Sequence, residues 1–368
     1  FSIMLVGLSP FITASIISQL MTKAIPSLEE LSNDGETGRR KINQWTRRIA
    51  VPLAVLQSIA YIFILRQTVL AGNTTILDQT TPIEWVVAVT AMSAGSILLM
   101  WIGELITEKG ISNGISLVIF AGIVSQLPTT LATIISSITD TSSGALSLFG
   151  WFTLQVSPLG TGILLATVFG GIIALYLLVK INESQRIITI NYAKRVHGNS
   201  SYGGIKSILP IKLIAAGVVP VIFAVSFLSL PAFVGQLLKS SGNEAYSALA
   251  NNLVTWFQAP NAGAFTGETW EAFIYPIIYF LLIVMFTFFY TSIVFNSSEI
   301  TDNLQKQGGF IEGVRPGKTT EKYLDKIVNR LNLFGAIALG LIAIMPFVAD
   351  YLLYHIAGVQ NSNLSIGG

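Results

Sequence analysis

The chain reads Asn191-Tyr192-Ala193-Lys194-Arg195 and then Leu209-Pro210-Ile211-Lys212 just before it enters a long uncharged apolar segment. A polar, basic stretch next to an apolar one is typical of a loop held on the cytoplasmic side of a membrane, where positive charge is retained. The same pattern recurs at every second loop of the chain. The sequence therefore predicts an integral membrane protein whose working surfaces are cytoplasmic loops and an uncharged interior.

The composition supports this interpretation. The 368 residues are 52% hydrophobic and only 11% charged, and the mean hydropathy of +0.67 excludes an ordinary soluble enzyme. A bilayer core about 30 Å thick requires roughly 20 apolar residues of helix. The apolar runs are continuous and predict an all-α polytopic membrane protein with eight spans, near 1–25, 49–71, 85–106, 114–138, 159–180, 213–238, 272–296 and 331–349.

Lys and Arg are distributed unevenly between the loops. They cluster in 26–48, 181–212 and 297–330, whereas 72–84, 139–158 and 350–368 contain neither. Because positive loops stay in the cytoplasm, the basic loops are predicted to be cytoplasmic and the others to lie outside, together with both chain ends. Since Phe1 already stands inside an apolar run, we expect a fragment that lacks a preceding span and a following one.

The chain carries little of the chemistry that enzymes and metal sites require. It contains no Cys, and His197 and His355 are too few and too scattered for a metal centre. The motifs of serine hydrolases and zinc proteases and a paired intramembrane Asp are absent from the sequence. Lys23, Arg66 and Glu104 stand near span ends, where long side chains reach the interface. We therefore predict no catalytic residue, no metal, no cofactor and no relay for coupled ions.

Two of the predicted spans contain more polar and helix-breaking residues than is usual for helices that face only lipid. The first carries Gly7, Pro10 and Gln19, and the sixth carries Gly217 and Pro220. Small and helix-breaking residues fit close packing between helices. They also fit a shared, partly hydrated cavity whose uncharged aliphatic constriction gates by dewetting. The residues alone leave both interpretations open.

Seven motifs stand out along the chain. They are Pro10-Phe11-Ile12-Thr13-Ala14-Ser15-Ile16-Ile17, Gly35-Glu36-Thr37-Gly38-Arg39-Arg40-Lys41, Trp101-Ile102-Gly103-Glu104 with Ile106-Thr107-Glu108-Lys109-Gly110-Ile111-Ser112-Asn113-Gly114-Ile115-Ser116, Asn191-Tyr192-Ala193-Lys194-Arg195, Ala216-Gly217-Val218-Val219-Pro220, Phe288-Phe289-Tyr290-Thr291 and Gly313-Val314-Arg315-Pro316-Gly317. In this order they resemble the SecY family of channel subunits of the bacterial protein translocase. The resemblance implies ten spans in two inverted halves around a central pore, of which this chain holds the second to the ninth. It places spans two to five in 1–138, an outer hinge loop in 139–158 and spans six to nine in 159–368.

The resemblance also implies a pore ring of aliphatic side chains. Carried over position by position, the ring falls on Leu8, Ile12, Ile115, Ile119 and Ile222. The spacing of four within the first two pairs puts the members of each pair on one helix face. Such a ring offers no hydrogen bonds, so it can grip a passing polypeptide while discouraging ion flow. The alternative is ordinary lipid contact or packing, which is the usual role of Ile and Leu in membrane helices.

A lateral gate is implied between the spans 1–25 and 49–71 on one side and 213–238 and 272–296 on the other. Gln19 falls at a polar gate position, although an amide near a helix end can also simply reach the surface. The facing position, often Asn in the family, is Ile214 in this chain. We therefore do not expect a Gln–Asn hydrogen bond across this gate.

The cytoplasmic loops 181–212 and 297–330 resemble the family's docking surface for the translating ribosome and the SecA motor ATPase. The matching basic residues are Arg186, Lys194, Arg195 and Arg315. Ile187, Asn199 and Ser200 depart from the family's basic pattern in this region. The alternative role of the four basic residues is to fix the membrane topology alone.

The function implied is that of a passive protein-conducting channel in the bacterial plasma (inner) membrane. Unfolded secretory proteins would cross through the ring, and signal peptides and hydrophobic segments would leave through the gate into membrane lipid. SecE-type and SecG-type subunits are the implied partners, and no direct nucleic-acid specificity is expected. One alternative is an inverted-repeat solute transporter, which would need polar groups at mid-membrane. A non-conducting membrane insertase is the other.

Overall fold

The computed structural model describes residues 3–68, 81–110, 113–129, 132, 146–148, 152–154, 158–192, 195–197, 200–202, 206–240, 244–260 and 270–357. The described residues form two compact units. The first contains those of Phe1–Gly160 and Val225–Tyr275, and the second those of Thr161–Ala224 and Pro276–Ser365. Most of the predicted hinge loop 139–158 lies outside the described residues, so the division of the sequence at that loop stays a prediction.

The first unit is built mainly from helices whose starts follow from the local sequence. Pro26 begins α2, and Pro82 begins α4 behind a capping box of Thr81 and Glu84. Asn113 caps α5 by accepting a hydrogen bond from the Ser116 amide. The helices are α1 Ser9–Ala24, α2 Pro26–Asn33, α3 Gly35–Thr68, α4 Pro82–Glu108, α5 Gly114–Ser125 and α8 Glu244–Phe257, and β1 Leu146–Leu148 pairs antiparallel with β2 Phe152–Leu154.

The second unit combines long helices with a small sheet. The sheet has the order β6 (Lys206–Lys212), β3 (Gln185–Tyr192), β7 (Gly309–Ile311), with both pairings antiparallel. The elements are α6 Pro158–Glu183, β3 Gln185–Tyr192, β4 Arg195–His197, β5 Ser200–Tyr202, β6 Lys206–Lys212, α7 Val219–Ser240, a 3-10 turn Trp270–Phe273, α9 Ile274–Val294, α10 Ser297–Lys306, β7 Gly309–Ile311 and α11 Lys318–Ala357. Three of these helices cross into the first unit, namely α6 at its start, α7 after its first turns and α9 at its start, and the 3-10 turn lies wholly in the first unit.

A described helix covers part of each of the eight predicted membrane segments, although 69–71 and nearly all of 130–138 lie outside the described residues. Among the described residues, five helices are long and apolar enough to cross a membrane: Pro82–Glu108, Leu164–Glu183, Val219–Lys239, Trp270–Lys306 and Lys318–Leu352. α1 is shorter, with 16 residues. The span predicted at 213–238 begins later than expected, because β6 continues to Lys212 and a turn with Gly217 at φ 63° precedes Val219.

Each unit has its own buried contacts. In the first, Ala14 of α1 packs with Ala50 of α3 and Met100 of α4, and the small alanines let the helices approach closely. The buried Ser58 and Ser93 hydroxyls of α3 and α4 share a hydrogen bond of 3.1 Å. In the second, one face of the sheet packs against α11 through the buried residues Ile188, Ile211, Ile311, Leu324, Ile327 and Val328.

Candidate functional site

Leu8 and Ile12 lie at the start of α1, one helical turn apart. The Ile12 amide donates to the Leu8 carbonyl at 3.0 Å. The turn before them is held to α4, since the Ser96 hydroxyl donates to the Gly7 carbonyl at 2.8 Å. Gly7 has φ 58°, a conformation that disfavours other residues. Leu8 is buried and Ile12 is half-buried, so this pair has a fixed position within the first unit.

Ile115 and Ile119 lie on α5, whose start is fastened to the end of α4. The Gly114 amide donates to the Thr107 hydroxyl at 2.8 Å. A Cβ on Gly103 would lie 3.3 Å from Cγ1 of Ile115, so Ile115 packs across the absent side chain of that glycine. Ile115 and Ile119 are both half-buried. The corner between α4 and α5 therefore sets where the second ring pair stands.

Ile222 lies in the first turn of α7, where its amide faces the Val218 carbonyl at 3.4 Å. It is half-buried and belongs to the second unit, whereas the other four predicted ring residues belong to the first. The structure thus places the ring residues at helix starts and on helix faces. Their closure into one ring stays a prediction.

The two predicted gate residues have different surroundings. The Gln19 amide nitrogen donates to the Ser15 hydroxyl at 3.2 Å, while its Oε1 is buried without a hydrogen-bond partner. A buried acceptor left unsatisfied in this way costs free energy. Ile214 precedes α7 instead of lying within a helix, and it is buried against α11, where a Cβ on Gly335 would lie 3.4 Å from its Cγ1.

Two of the predicted docking arginines are exposed on the second unit. Arg186 lies on β3, and Arg315 lies in the turn between β7 and α11. The Thr320 hydroxyl donates to the Arg315 carbonyl at 2.9 Å, which fixes the backbone of this turn. Lys194 lies outside the described residues, and Arg195 lies on β4.

Sequence reasoning missed an apolar surface on the sheet that carries Arg186. Thr189 pairs with Ile208, Ile187 with Pro210, and Asn191 with Phe310. Directly paired residues of antiparallel strands share one face, and Ile187, Ile208 and Phe310 are all exposed on the face opposite the buried one. We call these three residues the exposed sheet face. The alternation of β3 was a possible signal, but its partner β7 is distant in sequence.

Charges near the span ends are paired in the first unit. The Arg47 guanidinium and the Glu104 carboxylate are 2.5 Å apart and join α3 to α4, and Lys23 lies 2.8 Å from Glu29. Among the described residues, no group of three or more His, Cys, Asp or Glu could hold a metal ion. The described geometry offers aliphatic and cationic surfaces for binding a polypeptide or a partner.

Comparisons with known proteins agree over almost the whole chain. The family model for SecY matches residues 2–366. The protein translocase subunit SecY of Streptomyces coelicolor is 39% identical over 367 residues, which are 98% of this chain and 75% of that protein. The protein of the same name from Thermotoga maritima is 36% identical over an alignment of 371 positions that covers 100% of this chain and 74% of that protein.

Solved structures show the same fold. A structure described as that of a protein conducting channel has a TM-score of 0.61 at 18% identity and covers 96% of this chain and 80% of its own. The channel in a canine ribosome-channel complex from the endoplasmic reticulum has a TM-score of 0.54 at 16% identity, with coverages of 96% and 82%. At these identities the likeness concerns the fold alone, and it confirms the predicted class, an all-α polytopic membrane protein.

Proposed function

This chain belongs to the SecY family and is a protein translocase channel subunit, and we propose that its aliphatic ring and lateral gate carry out the transport. The observation that carries the proposal is the match over residues 2–366, together with relatives that are 36–39% identical along nearly the whole chain. The solute transporter and the insertase are not favoured, because the named relatives are translocase subunits.

The proposed conduction is passive. Leu8, Ile12, Ile115, Ile119 and Ile222 form a constriction without hydrogen-bonding groups, which disfavours water and ions when it is empty. A polypeptide that enters it meets flexible aliphatic side chains that adapt to each residue. The chain supplies no catalytic group in this scheme, so a motor or the translating ribosome provides the energy.

The proposed gate lies between α1 and α3 on one side and α7 and α9 on the other. Gln19 already has one hydrogen bond, to Ser15, and retains an unsatisfied acceptor. Ile214 offers no amide to meet it, so closure depends on apolar contact. A hydrophobic segment of a client leaves through the gate because lipid buries its apolar surface.

We place the protein in the bacterial plasma membrane with its basic loops in the cytoplasm. SecE-type and SecG-type subunits, SecA and the ribosome are the proposed partners. The ribosome is supported by a structural neighbour whose description is a ribosome-channel complex. Arg186, Lys194, Arg195 and Arg315 form the proposed docking surface, and the exposed sheet face lies on the opposite side of the strand that carries Arg186.

A crosslinking experiment tests the pore. The chain has no native Cys, so Ile119→Cys introduces a single thiol. We expect it to form a disulfide with a Cys placed in a stalled secretory chain, because a translocating polypeptide touches the ring. The matched control is Leu117→Cys, an exposed position about 160° away around the same helix. If the channel is folded and bound to its partners but forms no disulfide at either position, the pore assignment is wrong and the insertase is favoured.

Charge reversal tests the docking surface. We expect Arg315→Glu to weaken binding of SecA or of vacant ribosomes at least about tenfold, because a charge-assisted hydrogen bond contributes about 1.5–3 kcal/mol. The control is Lys318→Glu, which changes the same charge at an exposed position three residues along. Binding to the protein in nanodiscs is measured at two salt concentrations. Equal losses of affinity for both variants would mean that Arg315 contributes only to the overall positive electrostatic potential of the loop and to the membrane topology.

A further inference from the structure

The helix α8 lies between two membrane spans but is itself too short to be one. Its 14 residues extend about 21 Å, whereas a bilayer core is about 30 Å thick. α7 ends at Ser240, α8 begins at Glu244, and the next long apolar stretch begins at Trp270. α8 packs against the 3-10 turn Trp270–Phe273. The helix is therefore held at the level where one span ends and the next begins.

A close contact fastens α8 along the end of α7. A Cβ on Gly235 would lie 2.8 Å from Cβ of Leu253 and 3.1 Å from the Ala250 carbonyl oxygen, so the two helices meet at this glycine. Ala250 is fully buried. The Gln236 amide nitrogen also donates to Oε1 of Gln258 at 3.4 Å, just beyond the end of α8. α8 is therefore joined to the end of α7 at Gly235 and Gln236.

Part of the apolar surface of α8 is left uncovered by this contact. Tyr246, Leu249 and Trp256 are 50%, 51% and 36% exposed and lie beside the face that meets α7. The opposite face is polar and exposed at Asn251 and Thr255. A helix with one polar and one apolar edge is suited to the boundary between water and lipid. We call Tyr246, Leu249 and Trp256 the aromatic edge.

The chemistry of this edge favours lipid over a charged partner. Tyr and Trp prefer the headgroup level of a membrane, and Trp270 at the start of the next span is 70% exposed at the same end. Glu244 is the one charged residue of α8. The sequence has no Lys or Arg between Lys239 and Lys306. Lys239, at the end of α7, is therefore the one basic residue of the sequence near α8, and burial of apolar side chains is the larger force.

We propose that α8 lies in the lipid–water interface on the predicted outer side of the plasma membrane, with the aromatic edge at the boundary of headgroups and acyl chains. In this position α8 anchors the outer end of α7. The inference rests on the chain being a membrane channel and does not depend on which residues form the pore. Because α7 is one of the proposed gate helices, its outer end is then tied to the membrane surface through Gly235.

Lipid-depth quenching tests the proposal. Leu249→Cys, Trp256→Cys and the polar-face control Asn251→Cys are each labelled with an environment-sensitive fluorophore in the otherwise Cys-free channel, assembled with its partners in nanodiscs. Lipids brominated near the headgroup are expected to quench the first two labels roughly threefold more than the third, because an interfacial helix buries only its apolar face. Replacing zwitterionic by anionic lipid is expected to leave this ratio unchanged.

Three outcomes would overturn the assignment. Equal quenching at all three positions would mean that α8 is not oriented by the membrane. Strong dependence on anionic lipid would mean that charge, not apolar burial, holds it there. Protection of positions 249 and 256 from both brominated lipid and aqueous iodide would show a protein covering the aromatic edge. The Ile119→Cys crosslink is independent of all three, so failure of this inference is distinguishable from failure of the pore.

Discussion

Gly114→Ala is expected to lower the free energy of unfolding by about 3 kcal/mol, because the new methyl group has no room. A Cβ at this position would lie 1.8 Å from the Gly103 carbonyl oxygen and 2.8 Å from Cβ of Ile106. The nearest atom belongs to the backbone of α4, so no side-chain rotation relieves the clash. α5 must move away from α4, and the hydrogen bond from the Gly114 amide to Thr107 is strained or lost. Unfolding by SDS in mixed micelles measures the loss.

The same helix provides the control for this substitution. A Cβ on Gly122 would meet nothing within 4 Å, so Gly122→Ala is expected to be neutral or to stabilise the helix by up to about 1 kcal/mol. Because Ile115 and Ile119 are carried by α5, Gly114→Ala should also reduce crosslinking from Ile119→Cys. Equal stability of the two variants would contradict the close contact between α4 and α5.

The helices were predictable because their signals are local. Continuous apolar runs predict helices, and a described helix covers part of each of the eight segments. The start of α7 was not predictable, since Leu213 to Val218 are apolar enough to continue a helix. The turn at Gly217 and the strand before it take that stretch out of α7. Hydropathy alone does not distinguish a continuing helix from a strand and a turn in this stretch.

The sheet was missed because its pairing is not local. β3 and β6 look like a charged loop, and the third strand, Gly309–Ile311, comes from another basic loop of the chain. No window of sequence contains both partners, so the buried contacts of Ile190 with Ile311 leave no local signal.

α8 was missed for a different reason. Its 14 residues are too short and too polar on one face to register as a span.

For most residues of the candidate site, the sequence predicted which helix carries the residue but not the contacts that hold it in place. The resemblance assigns Leu8, Ile12, Ile115 and Ile119, and the structure explains how Gly7, Gly103 and Gly114 hold the backbone there. Those supporting contacts depend on close approach of α1, α4 and α5, which sequence spacing does not give. Ile214 shows the same limit, since it packs on α11 at Gly335.

Asn332→Ala is expected to lower the free energy of unfolding by about 1–3 kcal/mol, because it leaves a buried hydroxyl without its acceptor. The Thr291 hydroxyl of α9 donates to Oδ1 of Asn332 on α11 at 2.8 Å. Both residues are 3% exposed, so water does not replace the lost partner. The contact joins two membrane-crossing helices, where polar side chains stabilise the packing. The measurement is again SDS unfolding in mixed micelles.

A double-mutant cycle separates this hydrogen bond from other effects of the substitution. Thr291→Val removes the donor at nearly the same volume, and the double variant is expected to cost less than the sum of the two single losses. The coupling expected for a bond between membrane helices is about 0.6–1.7 kcal/mol. Asn329→Ala, at an exposed position on the same helix, should change stability by less than about 0.5 kcal/mol. Strictly additive losses at 291 and 332 would show that the pair does not hold α9 to α11. A measured coupling energy between 291 and 332, with no change in the free energy of unfolding for Asn329→Ala, would assign the effect to this hydrogen bond. The two asparagines differ mainly in burial.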